Sequence, residues 1–522
     1  MKNRRHRKGR TRKNGCPPNG GNGASASRRL HLDLAQNRRV LQRIYSDAQD
    51  IVFRSFLIGG EREAQLIYLD GMTDIRGIEE YVLKPLMRHI PQGLEEIRHL
   101  IMEEIPVSSV KLIGTFDECT EEISLGNPVL LVDGSNQAVM LKLSQWEKRP
   151  IEEPKTEPSI RGSQEGFSES LQTNTTLIRR KIRSTKLKVT RLVLGRYTQT
   201  RIHVIYIDGI ADPGLVAEVQ KRLRGVEIDG VLESGYLEEM IEDAPWSPFP
   251  QIKSTERADV IVGNLLEGQV AILVDGTKDA LVVPTTLTSL LQATDDYFYR
   301  SLYSSSIRLL RYSSLFLALV LPGVYVALLN FHQEMIPPGL LISMASAHEE
   351  VPFPTLIETL LMQLAFELLR EAGLRLPRQV GSAVTIVGAL VVGQAAVSAG
   401  FVSAPVVIVI ALTGIASFTA PHYSLEWAIR ILRIVMILLG GGMGMLGIMF
   451  GLIAIAIHLC GLRSFGVPYL SPIAPIQAGD WKDTWYRNHW WKMDTRPHLT
   501  GKRNRRRQPM GQRPHPPRKG DE

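Results

Sequence analysis

Residues 313–460 hold several apolar runs that are too long and too free of charge for the core of a water-soluble domain. Residues 313–331 (SSLFLALVLPGVYVALLNF) contain no charged side chain, and neither do residues 380–400 (VGSAVTIVGALVVGQAAVSAG) or the run 401–418 that follows directly. Residues 434–459 carry only His458 as a titratable group. A bilayer core about 30 Å thick needs roughly 20 apolar residues per spanning helix, and lipid forces the backbone to satisfy its own hydrogen bonds. A buried helical bundle in water would carry polar faces, which these runs lack. Four spans are therefore expected, at about 313–331, 380–400, 401–418 and 431–460.

The remainder of the chain is polar, and the mean hydropathy of −0.02 is the cancellation of two unlike halves. No apolar run precedes the block, so the N-terminal region is expected in the cytoplasm. Cys16, Cys119 and Cys460 lie far apart, without metal-ligand or disulfide spacing. The net charge of +8 belongs to the ends: residues 1–13 hold eight Lys/Arg, and residues 501–522 hold eight with two acids. Without aromatic interleaving or a nucleic-acid motif, these basic ends read as solvated tails attracted to an anionic leaflet, and no nucleic acid is expected as a partner.

Between the first tail and the apolar block, one grammar occurs twice. The strand pattern 65–70 (QLIYLD) ends in Asp70-Gly71, and 202–208 (IHVIYID) ends in Asp208-Gly209. The pattern 127–133 (NPVLLVD) ends in Asp133-Gly134, and 269–275 (QVAILVD) ends in Asp275-Gly276. Residues 78–90 read as a helix, and 139–143 as a hairpin partner of 127–133. Two matches in the same order, offset by 138 and 142 residues, predict a duplicated unit. The fold class is then two similar small α/β subdomains in tandem, followed by an α-helical polytopic membrane domain. Asp-Gly is what a strand-ending turn requires, and that reading is preferred to an ion or phosphate site. No nucleophile–base pair, metal constellation or cofactor motif stands out, so a non-enzyme is expected, with no cofactor.

The boundaries that follow are a basic tail (1–40), subdomain 1 (41–150), a Pro/Glu/Ser/Thr-rich linker (151–185), subdomain 2 (186–298), the membrane domain (299–462) and a basic C-terminal tail (463–522). Arg300, Arg308 and Arg311 favour a cytoplasmic start for the first span. The acidic, proline-rich loop 333–354 fits the outer side. Residues 355–372 form an amphipathic pattern: Thr359, Gln363, Glu367, Arg370 and Glu371 fall within about 120° of one another on a helix. This helix is expected at the interface or against protein rather than crossing lipid, which keeps the number of spans even. Glu358 lies off the stripe; a capping box over 355–358 is preferred to a buried functional carboxylate. In 380–400, Val387, Val391, Gln394 and Ser398 share a face that suits either a narrow pore or ordinary helix packing.

An ordered string of motifs carries a resemblance: Arg161-Gly162, Gly166-Phe167, Glu169-Ser170, Thr173-Asn174, Leu177-Ile178-Arg179-Arg180, Asp295-Asp296-Tyr297, Leu321-Pro322-Gly323, Pro352-Phe353-Pro354, Arg370-Glu371-Ala372-Gly373 and Gly393-Gln394-Ala395-Ala396. Over about residues 40–475 the chain resembles the GerA family of spore germination proteins, specifically the A subunit of nutrient germinant receptors. The resemblance implies a multi-pass protein of the spore inner membrane, with both terminal regions cytoplasmic, that works beside a transporter-like, nutrient-binding B subunit and a lipoprotein C subunit. It also implies a homo-oligomeric ring that forms a nutrient-gated ion channel. On that footing Val387 and Val391 become the apolar constriction, and Gln394 and Ser398 the polar lining. Arg161, Gly162, Gly166, Phe167, Asn174, Arg179 and Arg180 become a link between soluble subdomains of neighbours in the ring. The alternative is a membrane-anchored scaffold or signalling subunit that couples the nutrient-binding partner to germination without conducting ions. A lone secondary transporter is disfavoured, because four spans are expected and residues 380–418 carry no charge for a midplane ion site.

Overall fold

The computed structural model describes residues 29–88, 93–145, 154, 157, 161–375, 393–501 and 503–514. It divides into two compact units: the first is residues 1–46 with 51–145, and the second is residues 47–50 with 146–522.

The first unit is built on five antiparallel strands: β1 (Ile51–Ile58), β2 (Arg62–Leu69), β3 (Val110–Ile113), β4 (Val129–Val132) and β5 (Ala138–Leu141), in the order β1-β2-β4-β5-β3. The last six residues of β2 are all buried, which requires cover on both sheet faces and explains the continuous apolar run. Helical residues 75–88 and 94–104 bring Ile78, Val82, Leu86, Ile97 and Ile101 onto one face, against Leu66, Leu130 and Val139. The helices Leu34–Ile44 and Phe116–Ser124 also pack against β2. Each fully buried Leu or Ile contributes about 1.5–3 kcal/mol.

In the second unit a sheet of the same order, β6-β7-β9-β10-β8, is made by β6 (Leu187–Leu194), β7 (Thr200–Ile207), β8 (Lys253–Thr255), β9 (Val270–Val274) and β10 (Ala280–Val283). Its two faces carry separate cores. One is centred on Ile178, Val189, Ile205 and Ile261, the other on Val204, Val219, Leu237 and Ile272. The repeated Asp-Gly has a structural duty in each unit. Asp133 Oδ1 accepts the Leu34 N–H at 3.2 Å, and Asp275 Oδ1 accepts the Leu171 N–H at 3.3 Å. Gly134 and Gly276 sit at φ of +82° and +86°, the left-handed region that favours glycine.

The expected linker 151–185 is corrected from within. Ser170 caps a helix, Leu171–Lys181, which belongs to the second unit's core rather than to a spacer. Asn174 brackets Ser168, accepting its N–H at 2.8 Å and donating to its carbonyl at 2.7 Å. Asn37 does the same to His31 in the first unit, at 2.8 and 2.6 Å. Much of the buried face of Leu171–Lys181 is Asn174, Thr175 and Arg179, so no clean apolar stripe marked it. The expected tail 1–40 likewise ends early, because the Leu34–Ile44 helix starts within it.

Among the described residues two helices, Ser301–Phe331 and Tyr423–Gly461, are long and apolar enough to cross a membrane. The first begins 12 residues before the expected span. The second is broken at Gly444 (φ 64°, ψ −145°), so it is a hairpin of two antiparallel legs and not the single span expected over 431–460. A side chain at Gly451 would meet Met436, and one at Gly447 would meet Leu439. Gly444 lies against Phe331 and His332, at the far end of Ser301–Phe331. At the other end, His458 meets Ser247 Oγ at 2.8 Å and His422 meets Glu157 at 3.2 Å, so both legs end at the second sheet's subdomain. Between these helices lie Pro338–Glu349 (inside the expected loop 333–354), Thr355–Arg375 and Ala404–Ser417. With 14 residues, Ala404–Ser417 is shorter than the span expected over 401–418.

The expected basic tail 463–522 is also corrected. Residues 463–501 and 503–507 pack on the second subdomain, while 515–522 lie outside the described residues. Ser464 Oγ donates to Gln251 O at 2.6 Å, Tyr469 is fully buried, and Arg507 pairs with Glu267 at 2.6 Å. Basic composition suggested a solvated strand. Tyr469 and Met493, both buried, and Asp483, which pairs with Arg308, are interleaved with it and supply the groups that pack.

Candidate functional site: a polar interior within the helical block

The Thr355–Arg375 helix shows how the block is organised. Its polar stripe faces inward: Thr359 is 0%, Gln363 3% and Arg370 8% exposed. Its leucines face outward, with Leu364 58% and Leu368 63% exposed. The stripe is packed against protein, one of the two placements expected for it. In water the outward leucines would be penalised; in lipid they are at home, and the polar groups must find partners inside.

Two polar clusters result. Toward the end where Gly444 lies, Glu358 is wholly buried. It stands 3.0 Å from His348 Nε2 and accepts the backbone N–H of Ser403. The capping box preferred for Glu358 is therefore overturned: its carboxylate is spent on another helix and the start of a third. Toward the end where the sheet subdomain lies, Arg370 pairs with Glu426, which also accepts from Ser417 Oγ at 3.3 Å. Arg430 reaches Glu367 at 3.4 Å, Gln363 donates to Glu367 at 3.0 Å, and Arg433 Nε donates to Ala318 O at 2.7 Å. Two carboxylates and three guanidiniums are thus gathered among apolar helices. Removing one partner from such a buried pair costs about 3–5 kcal/mol.

A third cluster fastens the base of Ser301–Phe331. Arg308, fully buried, binds Asp296 at 3.0 Å and Asp483 at 2.7 Å, and Arg311 binds Asp296 at 2.7 Å. Arg308, read from sequence as a flanking surface charge, is therefore a structural clamp. Arg370, Glu426, Arg430, Arg433 and Asp483 were not singled out as site residues. Their signal was charge at the margins of apolar runs, where sequence alone reads a membrane boundary.

Of the expected pore face, Val387 and Val391 lie outside the described residues. Gln394 and Ser398 stand exposed on helical residues 393–398. Glu371 is exposed and pairs with Arg375 at 2.7 Å. The group expected to link neighbours makes the following contacts within the second unit. Arg179 grips Asp50 through two bonds of 2.7 and 2.9 Å, and Arg180 reaches Glu165 at 3.5 Å. Phe167 and Asn174 are buried, and Gly166 bridges Arg257. Gly162 (φ +130°) lies where a side chain would strike the Phe298 ring, and Arg161 is exposed. Among the described residues no group of three or more His, Cys, Asp or Glu is placed to hold a metal ion.

Comparison with known proteins accounts for nearly the whole chain. The family model for the Bacillus/Clostridium GerA spore germination protein matches residues 39–499. An uncharacterized membrane protein of Bacillus subtilis, YfkQ, is 43% identical over 90% of this chain and 92% of its own. Spore germination protein KA of the same organism is 43% identical over 92% and 89%. Spore germination protein GerLA of Bacillus cereus is 38% identical over 84% and 89%. Among solved structures, the N-terminal domain of the A subunit of the Bacillus megaterium spore germinant receptor GerK3 is 33% identical, covering 49% of this chain and 96% of that one, with a TM-score of 0.39. The chain belongs to the GerA family of spore germination proteins.

Proposed function

We propose that this protein is the A subunit of a nutrient germinant receptor, lodged in the spore membrane as a multi-pass protein with both terminal regions cytoplasmic. The observation that carries the reading is the inverted Thr355–Arg375 helix, polar face inward and leucines outward. It supports a correction to the helix count used earlier: this helix crosses, and the even number of crossings is kept by the hairpin at Gly444. The base clamp, Arg308 to Asp483, fits both soluble regions lying on one side.

In this reading the subunit works with a transporter-like, nutrient-binding B subunit and a lipoprotein C subunit, and several copies assemble around an ion pathway. The exposed Gln394 and Ser398 on an otherwise apolar stretch support residues 380–400 as the pore helix, with Val387 and Val391 as its constriction. The buried charges would then hold the supporting helices in register, without themselves contacting ions.

The test is conductance of the purified protein in lipid, alone and with its B and C partners. Val387→Ala is expected to raise the basal leak several-fold, and Gln394→Ala to change ion preference. Folded, oligomeric complexes whose currents are absent, or indifferent to both changes, would replace the channel with the scaffold or signalling reading.

A further inference from the structure

A cavity of about 460 Å³ opens between the Ala258–Leu266 helix, the turn 289–298 and the returning segment around Trp490. Its size falls within the range of about 300–1,000 Å³ typical of small-molecule sites. Val260, Val262, Leu266, Phe298 and Trp490 give it apolar walls. The polar groups are few and uneven in charge. Asp259 is held by Arg257 at 2.7 Å, and Glu267 by Arg507 at 2.6 Å. Arg496 is committed to the carbonyls of Leu266, Asn504 and Arg506 at 2.7–2.9 Å. Lys253, only 7% exposed, lines the cavity, and among the described residues its ammonium has neither a hydrogen bond nor a carboxylate within ion-pair distance. Asn264 Nδ2 and Gln269 Oε1 are buried beside it without partners. Burial pulls the Lys253 ammonium toward its neutral form, Glu157 and Glu267 act on it only from beyond ion-pair distance, and a buried donor is left unpaired next to apolar walls, a costly arrangement that an anionic ligand would relieve.

We infer that this cavity binds a small organic carboxylate with an apolar body, its carboxylate on Lys253 and Asn264 and its body against Val260, Phe298 and Trp490. Occupancy bears on the membrane block through one wall. Tyr297 lines the cavity, its hydroxyl donates to Asp483 at 2.8 Å, and Asp483 holds Arg308 at the base of Ser301–Phe331. The site does not depend on whether the subunit conducts ions.

Calorimetric titration of the full-length protein in nanodiscs tests it, with phenylacetate and hexanoate as probes and benzyl alcohol and hexylamine as neutral and cationic controls. Both carboxylates are expected to bind at least tenfold more tightly than either control. Lys253→Met is expected to weaken them tenfold or more. Gly263 lines the same cavity, and a Cβ there would meet nothing within 4 Å, so Gly263→Leu is chosen to obstruct the cavity from its rim. Gly263→Leu is expected to abolish binding while leaving the melting temperature unchanged or raised, which separates loss of the site from loss of the fold. Absence of carboxylate binding, or binding that both variants retain, would overturn the assignment. Mass spectrometry distinguishes the other source of an anion: phosphatidylglycerol retained by the wild type through detergent exchange and lost from Lys253→Met would assign the cavity to a lipid headgroup instead.

Discussion

Arg179 and Asp50 show what one side-chain pair contributes in this molecule. Their carboxylate–guanidinium fork is nearly inaccessible, with side chains 5% and 3% exposed. Arg179→Met would strand Asp50, at a cost of about 3–5 kcal/mol, and is expected to lower the melting temperature by about 6–12 °C. Arg179→Lys keeps the charge but loses the fork, and is expected to fall between. Two other residues set a pH response in opposite directions. The half-buried Glu238 is pushed up to about 7 by burial and by Glu242, Glu233 and Asp279. Because its folded value lies above its unfolded one, its contribution is present at low pH and lost as pH rises from about 4.5 to 7. The buried His203, in hydrogen-bond contact with Thr175 Oγ1 at 2.8 Å, is pulled down to about 4, chiefly by burial. Its contribution is present above about 6.5 and lost as pH falls toward 4. The two oppose one another, so Glu238 offsets the slope that His203 imposes between pH 5 and 7. Glu238→Gln is expected to expose the histidine, with the melting temperature falling by several degrees as pH is lowered from 7 to 5.

At the scale of elements, the informative structures are the hairpin and the inverted helix. Gly440 comes so close to the backbone of Gly323 that a Cβ there would overlap the Gly323 carbonyl oxygen, and a side chain at Gly323 would in turn meet the Met436 carbonyl. Gly440→Val is expected to separate Ser301–Phe331 from the first hairpin leg. The readout is loss of a monodisperse, folded peak in detergent, while Gly442→Ala, in open space, is expected to be tolerated. Leu364→Arg tests the outward face of Thr355–Arg375. If that face meets lipid, an arginine near the middle of the helix costs about 2.5–3.5 kcal/mol of insertion and lowers the membrane-integrated yield. Unchanged yield would place the leucines against water or another protein. The glycines at 440–442 and 444 can break a helix or admit a close neighbour. That they serve as both depends on Gly444 taking a positive φ where the chain meets Phe331, which no local pattern encodes.

For the whole molecule, the returning segment 463–507 governs how the membrane block joins the second subdomain. Truncation after residue 478 removes Asp483, leaving Arg308 with Asp296 alone, and also removes Arg507, leaving the partly buried Glu267 without its ion pair. Such a truncation is expected to express poorly, whereas Asp483→Asn alone is expected to fold with a lowered melting temperature; differential scanning fluorimetry distinguishes them. Much of this organisation was legible in the residues. The apolar runs, the paired Asp-Gly turns, the strands they terminate and the polar stripe at 359–371 all follow from local periodicity and turn chemistry, which neighbouring residues determine. The start of the second unit's first helix at Leu171, the hairpin and the returning segment were not legible, because their buried faces are polar or interleaved with charge and their partners lie far away in sequence. The direction in which the polar stripe points is the clearest case. Periodicity defines a stripe but carries no sign: water draws polar groups outward, whereas lipid sends them inward. The sequence alone therefore determined that residues 355–372 are amphipathic and that the chain carries a block of long apolar runs. Only the tertiary structure decided that the stripe faces Glu426 and Arg430, because burying charge is tolerable only where an opposite charge waits, and that partner is supplied by another helix.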